Sequence, residues 1–200
     1  MTSISYKVVN LFEKTIADYA GSKYAVAVES CCAAIFLCLE YLSPDEVILP
    51  SRTYPGVACS VIHSGSKLLF NDYKWNGEYD LLNTGIIDSA LRFKKGMHIN
   101  NTMRCLSFHA KKLLPIGRGG MILTDDKDAY EWFKKARFDG RSTKPLNEDK
   151  IDMVGWNFYM TPEQAARGLM LFDLIKDKDL PDLDVESQNY PDLSKIDAYK

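Results

Sequence analysis

Short apolar segments alternate with segments of helical periodicity through most of this 200-residue chain. The apolar segments have the length of buried strands, and the intervening segments repeat apolar residues at helical spacing. The predicted strands are 24–28, 46–50, 67–72, 85–88, 104–108 and 120–124. The predicted helices are 8–20, 31–42, 54–63, 126–138 and 161–176. This alternation predicts an α/β fold, a three-layer α/β/α sandwich with a mostly parallel central sheet.

The chain changes character after residue 176. Residues 177–200 are acidic, punctuated by proline and without apolar periodicity, which is typical of a tail rather than of packed helices or strands. We therefore divide the chain into a folded domain at 1–176 and an acidic C-terminal tail at 177–200. We expect the tail to dock through its leucines and tyrosines.

Composition excludes some classes of partner and location. Hydrophobic residues make up 46% of the chain, and the net charge of −2 gives no support for a nucleic-acid or anionic-membrane partner. Because neither a membrane-length apolar run nor a signal-peptide pattern is present, we predict a cytoplasmic protein. The five cysteines lie in apolar surroundings without a C-x-x-C pair, so we expect reduced, mostly buried thiols rather than disulfides or a metal site.

A basic turn separates the last two predicted strands. Residues 107–120 read SFHAKKLLPIGRGG, so Lys111 and Lys112 come soon after a strand end. Open α/β sheets bind ligands at the carboxyl ends of their strands, and lysine forms Schiff bases with carbonyl compounds, pyridoxal phosphate (PLP) among them. The segment therefore indicates a carbonyl-binding lysine, with a solvated basic turn as the alternative.

The order of motifs around these lysines resembles that of the DegT/StrS sugar aminotransferases, fold-type I PLP enzymes that act on nucleotide-linked keto-sugars. Matching segments run from about residue 12 to 174. The resemblance implies that 1–176 is a PLP-binding large domain. It also implies that Lys112, selected over Lys111 by its spacing to the Gly-x-Gly-Gly that follows, forms the Schiff base. The freed amine of Lys112 would then move the proton during transamination.

Three more side chains take cofactor roles by the same resemblance. Asp88 would pair with the pyridine nitrogen, Tyr54 would stack on the ring, and Ser107 would bind the phosphate. Each has a plainer alternative. Asp88 could be a turn former or helix cap, Tyr54 a core aromatic, and Ser107 a strand-end hydroxyl.

Cys31 and Cys32 stand at the start of a predicted helix that Ser30 can cap. The segment Ser-Cys-Cys-Ala-Ala occupies the place of the family's Ser-Gly-Thr-Ala-Ala, whose backbone amides hold the cofactor phosphate. Helix amino-termini bind anions through free N–H groups, so Cys31 and Cys32 are candidate phosphate-binding residues. Both depart from the family pattern, and an ordinary capped helix is the alternative.

Residues 155–160 read GWNFYM, where the family has Gly-Tyr-Asn-Tyr-Arg-Met. In the family the asparagine crosses a twofold interface to the partner's cofactor phosphate. The resemblance therefore implies a homodimer with shared sites, in which Asn157 is the residue that crosses. Tyr159 replaces the family's arginine, and a surface turn with a polar Asn157 is the alternative.

Three further departures from the family pattern affect a contact to the cofactor, a charge near the lysine turn and the length of the chain. Leu91 replaces a glutamine or histidine that contacts the cofactor's phenolic oxygen, and Arg118 replaces the glutamate of Gly-Glu-Gly-Gly. The resemblance implies a chain roughly twice as long, with a C-terminal small domain beyond the part that these 200 residues match. Water exclusion then depends on the tail or a partner.

The resemblance implies a PLP-dependent aminotransferase with glutamate as amino donor and a keto-sugar nucleotide as acceptor. A related sugar dehydratase has histidine at the position of Lys112, so the lysine argues against that rival. A second rival is a catalytically degenerate PLP-binding or regulatory homologue, which the short length, Leu91 and the cysteine pair favour.

Overall fold

The computed structural model describes residues 4–199. The helices are α1 (Ile4–Ala20), α2 (Cys31–Leu42), α3 (Pro55–His63), α4 (Lys127–Ala136) and α5 (Pro162–Asp173). The strands are β1 (Tyr24–Val28), β2 (Glu46–Pro50), β3 (Lys67–Asn71), β4 (Tyr79–Leu81), β5 (Ile86–Asp88), β6 (Met103–Ser107) and β7 (Gly120–Thr124). Every predicted helix and strand forms, and β4 is an addition in a segment predicted to be a loop.

The sheet arrangement differs from the prediction of a mostly parallel sheet, which is wrong. The main sheet has the order β1-β7-β6-β5-β4, and only its β5–β6 pair is parallel. Strands β2 and β3 form a separate parallel pair. A hydrogen bond from Leu82 N to Ile48 O (3.1 Å) joins this pair to the end of β4. The central sheet is therefore mixed and mostly antiparallel.

The connections between strands account for this difference. Strand β6 returns as β7 through the lysine turn, and β4 returns as β5 through residues 82–85. Strands joined by a direct return pair antiparallel, whereas a parallel neighbour needs a crossover. The helical crossovers α2 and α3 do occur, but α2 carries the chain from β1 to the smaller sheet and α3 joins β2 to β3 within that sheet. The alternation of helices and strands therefore predicts the α/β class correctly, but it does not predict the directions of the strands.

The main sheet lies between two layers of helices. On one face α1 and α5 bury Phe12, Ile16 and Phe172 against alternate strand residues such as Leu123. On the other face α2, α3 and α4 pack against the opposite set of strand residues. Since successive strand residues point to opposite faces, short apolar strands can serve both layers. Within residues 4–199, no helix is both long and apolar enough to cross a bilayer.

Strands β1, β5 and β6 run in the same direction, although β7 separates β1 from β6. Their carboxyl ends therefore meet at one edge of the sheet, where the chain continues to Ser30, to Ser89 and to the lysine turn. The Ser30 side chain caps α2 by accepting a hydrogen bond from Ala33 N (3.1 Å). This edge positions the candidate site.

The C-terminal segment folds back against the domain. It contains short 3₁₀ turns at Glu186–Gln188, Leu193–Lys195 and Asp197–Tyr199. Leu193 is fully buried and its backbone N–H donates to Ser51 O (2.8 Å). The expected docking through leucines and tyrosines is present, and it brings the segment to the same edge of the sheet.

Candidate functional site

A cavity of 710 Å³ opens at the edge where β1, β5 and β6 end. This volume lies within the range of roughly 300–1,000 Å³ that small-molecule sites occupy. Residues from the start of α2, the start of α3, the end of β5, the lysine turn and the C-terminal segment line it. The structure brings together six of the seven predicted site residues, which are Cys31, Cys32, Tyr54, Asp88, Ser107 and Lys112.

The first turn of α2 presents backbone amides to this cavity. The N–H groups of Cys31 and Cys32 precede the first intrahelical hydrogen bond, from Ala34 N to Ser30 O (3.1 Å), and such groups favour anions. Burial raises the pKa of both thiols, that of Cys32 to about 12. Both thiols are therefore neutral at neutral pH, so neither repels an anion.

Lys112 and Lys111 differ in their surroundings, as the sequence predicted. Both lysines line the cavity, but Lys111 is exposed whereas Lys112 is half-buried. The Lys112 N–H donates to His109 O (2.9 Å), which holds the turn tight. Burial lowers the pKa of Lys112, and the Asp88 carboxylate partly opposes this shift. More of the amine is therefore neutral than in an exposed lysine, as attack on a carbonyl carbon requires.

Asp88 is buried at the end of β5 and its orientation is set by three donors. Its Oδ2 accepts from the Tyr79 hydroxyl (3.0 Å), and its Oδ1 accepts from Ala90 N (2.9 Å) and, at 3.8 Å, from the Cys31 thiol. The Tyr79 hydroxyl also pairs with Thr53 Oγ1 (2.6 Å). Burial raises the pKa of Asp88, while these hydrogen bonds and the Lys112 charge oppose the rise. A fixed carboxyl group thus faces the cavity that Lys112 enters.

Tyr54 and Ser107 complete the part of the site on the domain. Tyr54 immediately precedes α3, is 55% exposed and lines the cavity rather than filling the core. A Cβ on Gly56 would lie 2.7 Å from the Tyr54 ring and 2.6 Å from Cys32 Sγ, so glycine allows the ring to lie beside the start of α2. Ser107 ends β6, and its Oγ lies 3.5 Å from His109 N.

Asn157 lies outside the cavity of its own chain. Its side chain is exposed and donates to Asp139 Oδ2 (3.0 Å). Neighbouring Tyr159 packs edge-on against Phe138, with ring centroids 5.2 Å apart. The predicted contribution of Asn157 to a partner's site therefore stays a prediction.

The other departures have clear places in the structure. Leu91 is fully buried and lies outside the cavity lining, with its backbone tied to Gly77 O and Leu183 N. Arg118 lies at the cavity and pairs with Glu29 (2.9 Å). The positive charge of Arg118 is therefore partly balanced within the chain.

Sequence reasoning missed the part of the cavity that the C-terminal segment and Trp75 form. Residues 188–191, which are Gln188, Asn189, Tyr190 and Pro191, line the cavity together with Trp75. The Tyr190 ring lies nearly parallel to the Trp75 ring, at 17° and 6.2 Å between centroids. Aromatic residues in an acidic tail were the one available signal, and no local motif connects them to the lysine turn.

The model of the DegT/DnrJ/EryC1/StrS aminotransferase family matches residues 1–81 and 95–178. The match contains Lys112, Tyr54 and the α2 amino-terminus and is interrupted over 82–94, where Asp88 lies. The assignment of Asp88 therefore depends on its position in the cavity. Members of this family use PLP.

Two curated relatives illustrate the similarity. The spore coat polysaccharide biosynthesis protein SpsC of Bacillus subtilis is 28% identical over 214 residues, covering 80% of this chain and 55% of SpsC. The GDP-perosamine synthase of Caulobacter vibrioides is 29% identical over 204 residues, covering 79% of this chain and 54% of the synthase. The chain thus spans about half the length of the curated relatives it matches.

Solved structures support the fold. The sugar aminotransferase CalS13 of Micromonospora echinospora superposes with a TM-score of 0.73 at 16% identity, covering 86% of this chain and 61% of CalS13. Helicobacter pylori PseC, an aminotransferase of pseudoaminic acid biosynthesis, gives 0.65 at 20% identity, covering 84% of this chain and 61% of PseC. With the family match over most of its length, this chain belongs to the DegT/DnrJ/EryC1/StrS aminotransferase family.

Proposed function

We propose that this chain is a PLP-dependent aminotransferase that transfers an amino group from glutamate to a keto-sugar nucleotide. The observation that carries the proposal is the convergence of Lys112, Asp88 and the α2 amino-terminus on one 710 Å³ cavity. Family membership and relatives such as the GDP-perosamine synthase support the substrate class.

The donor set fits this cofactor. The Cys31 and Cys32 amides and Ser107 offer hydrogen-bond donors to a phosphate, and the nearby thiols are neutral. Asp88 offers a carboxylate that would pair with a protonated pyridine nitrogen. Tyr54 offers an exposed ring face for stacking. When bound, PLP supplies an aldehyde that condenses with amines and a ring that accepts electrons from the substrate carbon.

Each residue then has a defined task. The Lys112 amine, of which a larger fraction is neutral because its pKa is lowered, accepts and returns the proton at Nζ. Asp88 keeps its position through Tyr79 and Ala90 N, so its charge stays aimed into the cavity. Tyr54 restricts the orientation of a planar ligand next to Cys32.

We also propose a homodimer with shared sites, in which Asn157 reaches the phosphate region of the partner's cavity. The exposure of Asn157 supports this role, since its carboxamide is accessible although both Asp139 carboxylate oxygens accept from its Nδ2. A second copy would add donors that the single chain does not supply to its own cavity.

The second candidate is a PLP-binding homologue without transaminase turnover. The specific observation that favours it is length, since the chain spans 54–55% of the relatives above. The interruption of the family match at 82–94 is consistent with it. Both candidates bind PLP through Lys112, and only the first converts the cofactor with glutamate.

Absorbance and trapping test the proposal. Purified protein mixed with PLP should develop visible absorbance, and borohydride reduction followed by peptide mass spectrometry should locate the cofactor on Lys112. Lys112→Ala should abolish both signals, whereas Lys111→Ala, which removes the exposed neighbour, should keep both.

Glutamate separates the two candidates. Glutamate should bleach the visible band if the chain is a transaminase, because the amino group moves to the cofactor. A stable band in glutamate would favour the degenerate homologue. Equal absorbance in wild type and Lys112→Ala, or none in either, would contradict both.

A further inference from the structure

The C-terminal segment is fastened to the domain on one side of the cavity by Asp182. Its carboxylate accepts hydrogen bonds from Arg92 Nη2 (2.6 Å) and Nε (3.0 Å), and it lies 3.5 Å from Lys94 Nζ. The next backbone N–H, that of Leu183, donates to Leu91 O (2.9 Å). The Asp182 side chain is only 10% exposed, so this ion pair is better shielded than a surface pair.

A second fastening holds the other end of the segment. Leu193 is fully buried in the core around α2 and β2, and Asp192 forms an antiparallel bridge with Arg52. The Arg52 guanidinium also donates to Tyr190 O (3.4 Å). Residues 184–191 therefore lie between two attachments, and residues 188–191 of this stretch line the cavity.

Tyr190 is the aromatic residue among residues 188–191, which line the cavity. It lines the cavity, its ring lies over Trp75, and Trp75 is fixed by a hydrogen bond from Nε1 to Arg52 O (2.9 Å). Burial raises the pKa of the Tyr190 phenol, with smaller contributions from Asp88 and Cys31 on the opposite wall. In the described part of the chain, the hydroxyl has no hydrogen-bond partner among the protein groups.

The segment forms a wall of the cavity rather than a plug. With residues 188–191 in place the cavity still encloses 710 Å³, enough for a small phosphorylated aromatic ligand. The Tyr190 side chain is half-buried at the cavity, and no protein group of the described residues occupies its hydroxyl, so the hydroxyl is available to donate to a ligand. The ligand that enters this cavity is therefore expected to offer an acceptor to Tyr190.

We infer that residues 182–193 close the cavity over its ligand, and that Tyr190 is a ligand-binding residue whose hydroxyl donates to an acceptor on a planar, anionic ligand. This inference rests on the proposed function in taking PLP as that ligand. It assigns to the C-terminal segment a part in excluding water from the cavity.

Matched substitutions in the full-length chain test the two parts. Tyr190→Phe keeps the ring on Trp75 and removes the hydroxyl, with Tyr199→Phe in the same segment as the control. The dissociation constant for PLP should rise about fivefold in Tyr190→Phe, as expected for one neutral hydrogen bond. The visible absorbance of the bound cofactor should also shift.

The Asp182→Asn variant tests whether the C-terminal segment closes the cavity. Its control is Asp179→Asn, which makes the same change in charge at an exposed residue three positions earlier. PLP should dissociate several-fold faster from Asp182→Asn than from Asp179→Asn. In ligand-free protein, hydrogen exchange should accelerate at the Leu183 amide in Asp182→Asn only. Matching urea midpoints for Tyr190→Phe and Tyr199→Phe would exclude general unfolding as the cause.

The outcomes separate this inference from the proposed function. If the wild type binds PLP on Lys112 and both test variants behave as their controls, the inference is overturned and the proposed function stands. If the wild type does not bind PLP, the proposed function and the role of Tyr190 fail together. Hydrogen exchange at the Leu183 amide of the ligand-free protein then still shows whether Asp182 holds residues 182–193 against the domain.

Discussion

Asp88 is a buried carboxyl group whose charge costs the folded protein stability. Burial raises its pKa, and hydrogen bonds from Ala90 N and Tyr79 together with the Lys112 charge offset only part of the rise. Folding therefore favours the protonated form. The stability that this preference provides is complete below the ordinary aspartate pKa and is lost as pH rises through the folded pKa. Retaining a destabilising charge is typical of functional sites.

We expect Asp88→Asn to raise the free energy of unfolding by roughly 1 kcal/mol at neutral pH while weakening PLP binding. Asparagine keeps an acceptor for Ala90 N and can donate to the Tyr79 hydroxyl without a buried charge. The gain should vanish below the ordinary aspartate pKa, where the wild type is also protonated. Urea unfolding at neutral pH and at a pH below the ordinary aspartate pKa measures this gain in the free energy of unfolding.

Asp80→Asn is the matched control for Asp88→Asn, because Asp80 lies exposed on β4. It should leave the unfolding free energy almost unchanged. An equal gain in Asp80→Asn, or a gain in Asp88→Asn that persists in acid, would contradict the account of Asp88.

At the scale of elements, the start of α2 is packed directly onto β7. A Cβ at Gly120 would overlap the backbone of Ser30 and approach Cys31 N. These contacts are backbone rather than the ends of flexible side chains, so they cannot move without shifting a helix or a strand. Glycine at the start of β7 therefore sets the position of the amides proposed to bind phosphate.

We expect Gly120→Ala to lower the free energy of unfolding by at least about 2 kcal/mol, because the overlap must be relieved by moving α2 or β7. Gly65→Ala is the comparison, since its site has open space and a φ of +79°. That strain alone should cost about 1 kcal/mol. Urea unfolding of the two variants compares them, and a smaller loss in Gly120→Ala than in Gly65→Ala would refute the packing argument.

For the whole molecule, the proposed shared site makes a prediction about mixed subunits. Lys112→Ala and Asn157→Ala should each bind PLP poorly, for different reasons. A refolded mixture should regain visible absorbance, because a mixed dimer contains one site with both residues intact. Light scattering should report a dimer with PLP. A monomer, or a mixture no better than its components, would remove Asn157 from the site.

Much of the local structure and several site residues could be predicted from the sequence. Each predicted helix and strand forms, because its signals lie within a few residues of one another in the chain. These signals are helical spacing, the caps at Ser30 and Thr161, and short apolar runs for the strands. The resemblance to the family's lysine segment also selected Lys112, which is half-buried in the structure, over the exposed Lys111.

The strand directions and the closed cavity were decided by contacts between distant residues. Pairing along the main sheet depends on which strands return directly, and hydrophobic periodicity does not encode direction. Arg92 and Asp182 are 90 residues apart, and Arg52 and Tyr190 are 138 apart. The sequence by itself determined which segments become helices and strands and that two lysines follow the end of β6. Only the tertiary structure decided that the sheet is mixed and that an acidic tail supplies Tyr190, because these features arise when chain ends and strand edges meet in space.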